Sequence, residues 1–159
     1  MSARFVPSTL PVAGTEALGI GVRGMDGLVR DRGDHDEVPL AVICDPANQA
    51  EVRKRGDDPD ELIDLYIDAI NDSIRDRPKN MAIAVHMCRG NTGRGMASGG
   101  YEPVAERMFN RLSVDGFFLE YDTERAGDFS PLRHLPKPKR AVLGIVSSKL
   151  RELESLDSL

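Results

Sequence analysis

The chain has no tryptophan, few aromatic residues and two cysteines in 159 residues, and it has no excess of positive charge. Each shortage excludes something. Two cysteines, Cys44 and Cys88, cannot form a disulfide framework, so reduced thiols and a cytoplasmic setting are expected. A net charge of −5 argues against a nucleic-acid partner held through its phosphates. No apolar run approaches the ~20 residues of a membrane span. The N-terminus shows no basic stretch followed by an apolar core, so no secretory signal is expected. What remains is a soluble globular chain, 40% hydrophobic and 30% charged.

The stretch with the most chemistry is Met81-Ala-Ile-Ala-Val-His-Met-Cys-Arg-Gly-Asn91. Its apolar run reads as a strand over 81–88, apolar on both faces as in a covered parallel sheet. Positions two apart on a strand share a face, so His86 and Cys88 project side by side at its C-terminal end. An imidazole beside a thiol makes up much of a catalytic zinc site.

The remaining segments surround that strand with a repeating pattern. Residues 1–38 are glycine-rich and charged, and read as an irregular N-terminal segment. The Gly19-x-Gly21-x-x-Gly24 spacing there has no strand before it, so a nucleotide site is not expected. Pro39–Cys44 is either a strand or a buried helical turn, and Cys44 reads as a packed small hydrophobe. Residues 47–57 suggest a short exposed helix. Asp58 as N-cap, Pro59 at the first position and Ile63, Ile67, Ile70 and Ile74 on one stripe predict a long helix. Arg75 and Arg77 are expected in its last turn, before Pro78.

A second helix opens at Glu102-Pro103, and a strand follows at Phe117–Tyr121. Lys137–Arg140 reads as a solvated surface link. Ala141–Val146 predicts a third strand, and Ser147-Ser148 can cap a last helix over 149–157. Alternating strands and helices of this length indicate repeated βα units and a parallel sheet. Chemistry in such sheets gathers at the C-terminal strand ends, where His86, Cys88 and Glu120 fall. The plainer alternative is that His86 hydrogen-bonds in the core, Cys88 packs, and Glu120 pairs with Arg125 or Arg89.

Several blocks carry a resemblance that decides between these. HMCRGN (86–91), GGYEPVAE (99–106), FLEYDTERAGD (118–128) and VLGIVSS (142–148) look like the C-terminal catalytic barrel of cobalamin-independent methionine synthase. They are nearest to its stand-alone bacterial forms, and CDP (44–46) and RGDDPDEL (55–62) extend the likeness. The resemblance implies a (β/α)8 barrel over 39–159, present only in part, since a whole one needs about 250 residues. It implies zinc held by His86, Cys88 and Glu120, with Asp122, Arg125 and Asp128 at the same mouth. It implies methyl transfer from 5-methyltetrahydrofolate to the zinc-activated thiol of homocysteine. No catalytic residue beyond the ligands is assigned. The family's second cysteine ligand is not found, so the barrel is read as truncated and the activity as open to loss. The alternative is a non-catalytic partial barrel that needs an oligomer or a partner chain to cover its open sheet edges.

Overall fold

The computed structural model describes residues 32–36, 38–89, 97–147 and 155. The predicted glycine motif at 19–24 lies outside them, as does the helix expected over 149–157 except for Ser155.

Among the described residues, four parallel strands form one sheet in the order β1-β2-β3-β4. They are β1 (Arg32–Asp36), β2 (Ala82–Met87), β3 (Gly116–Glu120) and β4 (Arg140–Gly144). The first of these lies inside the segment read as irregular. Its sequence, RGDHD, has no apolar residue to signal a strand, and backbone pairing with β2 defines it.

The helices are α1 (Val38–Val42), α2 (Pro46–Lys54), α3 (Pro59–Ser73) and α4 (Glu102–Arg111). The ambiguous Pro39–Cys44 stretch is therefore helical over most of its length. Asp58 caps α3 as expected, its side chain accepting from the Asp60 N–H at 2.9 Å. Helix α3 ends at Ser73, one turn earlier than its arginines suggested. Arg77 lies beyond it and pairs with Asp115 at 2.5 Å instead of meeting the helix dipole.

Alternation along the strands sorts the two sheet faces. Ile83, Val85, Met87, Phe117 and Leu119 are buried. They belong to one core with Ile63, Ile67 and Ile70 of α3 and Val104, Met108 and Phe109 of α4. Burying each such side chain is worth about 1.5–3 kcal/mol, so this face holds the unit together. Phe109 meets Phe117 edge-on at 4.9 Å between ring centres.

The other face differs from the expectation of a strand covered on both sides. Ala82, His86, Val142, Gly144 and Val146 on or just after the strands are exposed. Val142 keeps 53% of its surface and Val146 58%, which is unusual for a parallel sheet.

Lys139 also departs from its reading as a solvated surface charge. Its ammonium donates to the carbonyls of Phe109 and Leu112, both at 2.6 Å, and so closes the C-terminal end of α4. Among the described residues, no helix is long and apolar enough to cross a membrane.

Candidate metal centre

His86 lies on the open face near the end of β2, and Cys88 follows one residue past the strand on the same side. Glu120 ends β3, where its neighbour across the ladder is Gly144 of β4. The register pairs His86 with Phe118, so the two strand ends stand at one level. His86, Cys88, Glu120 and Asp122 line one cavity of about 230 Å³, walled by Phe118, Val142 and Val146.

Four of the six sequence-based candidates thus line one cavity. His86 is exposed, Cys88 half-buried and free of disulfide, and the Glu120 side chain retains 9% of its surface. The pairing foreseen as the plainer alternative is also present. Glu120 Oε1 accepts from Arg125 Nη2 at 2.8 Å, and its Oε2 accepts from the Arg89 N–H at 3.2 Å. Arg125 reaches Asp122 Oδ1 as well, at 3.3 Å. Asp122 Oδ2 accepts from the Ser147 hydroxyl at 3.0 Å. Asp128 is elsewhere: its carboxylate is engaged by the N–H and hydroxyl of Ser130 in a local turn, which holds it below the usual carboxylate range.

Imidazole, thiolate and carboxylate suit zinc in kind, being nitrogen, sulfur and oxygen donors of the sort it takes. Among the described residues no three His, Cys, Asp or Glu side chains stand grouped as they would around an ion. Glu120 is turned to its arginine, so the donor set fits in chemistry and is not gathered around an ion.

Two residues that support the site carried no functional assignment in the sequence. Arg89 is 1% exposed, and its guanidinium donates to the carbonyls of Gly99, Glu120 and Ala126 and to the Tyr101 hydroxyl. Tyr101, fully buried, also accepts from the Glu120 N–H at 3.0 Å. Together they fix the backbone at the end of β3. An arginine directly after an apolar strand is the available signal, and it resembles any solvated surface charge.

Asp45 makes a second tie. It caps α2 through the Ala47 N–H and also accepts from the Ser98 N–H and hydroxyl, at 2.8 and 3.1 Å. The sequence marks Asp45 only as a stop before Pro46. Cys44 matches its reading as a packed hydrophobe: it is buried, and its thiol donates to the Leu40 carbonyl at 3.2 Å.

Fold and site together define a parallel α/β unit with a nitrogen, sulfur and oxygen donor set at its C-terminal strand ends. Comparison with known proteins narrows this. No family model matches the chain. It is 41% identical over 126 residues to "Uncharacterized protein YxjG" of Bacillus subtilis, covering 78% of this chain. It is 41% identical over 122 residues to "Uncharacterized protein YxjH" of the same organism, covering 76%. Among solved structures it is similar to a "Putative Vitamin-B12 Independent Methionine Synthase" from Listeria monocytogenes. That likeness has 36% identity, a TM-score of 0.57 and 77% of this chain covered. The chain spans 33% and 32% of the length of the two curated relatives and 32% of the solved one.

Proposed function

We propose that this chain carries the zinc half-site of a methyltransferase of the cobalamin-independent methionine synthase type. The observation that carries the reading is that His86, Cys88 and Glu120 line one cavity at adjacent C-terminal strand ends. The solved relative's description supports the same class.

In this reading His86, Cys88 and Glu120 hold zinc, which would supply the Lewis acidity that ionises a thiol near neutral pH. Cys88 gives up its own proton to become a ligand. Arg89 and Tyr101 keep the end of β3 in place, and Phe118, Val142 and Val146 give the cavity apolar walls. The acceptor proposed is homocysteine or a thiol like it, and the donor proposed is 5-methyltetrahydrofolate. Two cysteines outside any disulfide suit a reducing, cytoplasmic setting.

The four strands, in sequential order with their apolar core on one face, would form an arc of a (β/α)8 barrel, the open face being its lumen. The exposed Val142 and Val146 favour a second reading of the same arc, in which it is a non-catalytic partner that docks on further strands.

Calorimetric titration of homocysteine separates the two. The first reading expects binding to the zinc-loaded chain with proton release, and none to the metal-free chain. Equal heats from both forms, or none from either, would contradict it.

A further inference from the structure

The arrangement of charges at the cavity suggests how metal enters. Glu120 and Asp122 are both largely withdrawn from water, with side-chain exposures of 9% and 4%. Two carboxylates in such a place raise each other's energy unless a cation stands between them. Arg125 is that cation, at 2.8 Å from Glu120 and 3.3 Å from Asp122 through the same nitrogen, Nη2. Its other terminal nitrogen, Nη1, is buried and has no hydrogen-bond partner among the described residues. The guanidinium is therefore held here by the two carboxylates more than by a full set of its own hydrogen bonds.

We propose that Arg125 is the resident counter-charge of the metal-free site, competing with a divalent cation for Glu120. This rests on the reading of His86, Cys88 and Glu120 as ligands. Metal binding then exchanges one ion pair for another: Glu120 leaves Arg125 for the dication, and no covalent bond changes. Asp122 makes the exchange possible. Its Oδ2 is engaged by Ser147 and its Oδ1 stays on Arg125, so the guanidinium keeps a partner when Glu120 departs. Arg125 is a positioning residue, acting through Glu120 rather than on a substrate.

The opposite role is equally concrete: an arginine that aims Glu120 at the metal. The two roles predict opposite signs. Zinc affinity is measured by competition with a chelating dye for the wild type, Arg125→Gln, Arg125→Lys and, as control, Cys88→Ala. Competition predicts zinc binding about tenfold tighter in Arg125→Gln, and close to wild type in Arg125→Lys, which restores the charge. Unchanged or weaker binding in Arg125→Gln, with Cys88→Ala still abolishing it, overturns the inference and leaves the ligand assignment standing. A Cys88→Ala chain that binds zinc like the wild type overturns the ligand assignment itself, and the inference with it.

The wild-type protein gives a second test that needs no variant. Phenylglyoxal labelling of Arg125, followed by peptide mass spectrometry, should speed up when zinc is added, because the departing carboxylate bares the guanidinium. Slower or unchanged labelling would overturn the exchange.

Discussion

Arg89 lies over the ring of Tyr101, its guanidinium carbon 4.4 Å from the ring centre, while its Nη1 donates to that tyrosine's own hydroxyl at 3.0 Å. The contact combines a cation–π interaction with a hydrogen bond in a place nearly closed to water. Through it the chain just after β2, the start of α4 and the end of β3 are tied together.

Tyr101→Phe tests that tie. The phenylalanine keeps the ring but removes the hydroxyl that accepts from the Glu120 N–H and from Arg89 Nη1 and that donates to the Met87 carbonyl. Stability in urea should fall by about 2 kcal/mol with an unchanged m-value. A loss within about 0.5 kcal/mol would show that the hydroxyl is dispensable.

Gly99 makes a sharper prediction. Its φ of +96° lies in the left-handed region, and a Cβ there would stand 2.5 Å from the Cys44 carbonyl oxygen. Its own carbonyl accepts from Arg89 Nε and Nη2. Gly99→Ala should therefore cost at least about 2 kcal/mol, measured by thermal or urea melting. A neutral result would mean that this loop does not hold its position against Cys44.

The two thiols should separate cleanly. Burial pushes the Cys44 thiol up to about 12, with the nearby Arg89 charge pulling the other way. In the folded, metal-free chain iodoacetamide at pH 8 should label Cys88 and spare Cys44, as read by peptide mass spectrometry. Equal labelling would contradict the burial of Cys44.

Stability should also decline at alkaline pH, and the sign follows from two raised groups. Burial lifts Cys44 from 9.0 to about 12 and Tyr101 from 10.0 to about 12. The unfolded chain releases these protons first, so stability is full below pH ~9 and is lost as pH rises toward ~12. Cys44 contributes a slope of up to about 1.4 kcal/mol per pH unit from pH ~9 to ~12, and Tyr101 one of similar size from pH ~10 to ~12. Urea midpoints at pH 8, 10 and 11 should fall in that order, and Cys44→Ala should flatten the decline.

Much of this arrangement is legible in the sequence. The alternation in Ala-Ile-Ala-Val-His-Met-Cys puts His86 and Cys88 on one face, and an apolar strand ending in Glu120 adds the third candidate. Asp58-Pro59 and the isoleucine stripe mark α3 because capping and burial are both local signals. Strand β1 was hidden because its charged residues say nothing of strand, and only long-range pairing makes it one. Local rules place Arg77 at a helix end because they carry no information on Asp115, 38 residues away. The Arg125–Glu120 pair is legible in the sequence, whereas the contacts of Arg89 with Gly99, Tyr101 and Ala126 are not, because those partners meet it only when the strand ends are set side by side.

The most direct test of the central claim is the zinc content of the purified chain, by mass spectrometry of the metal, beside Cys88→Ala. The account predicts about one zinc per wild-type chain, tightly held, and essentially none in the variant. A wild-type chain that retains no zinc when loaded and dialysed, or a variant that retains a full equivalent, would contradict it.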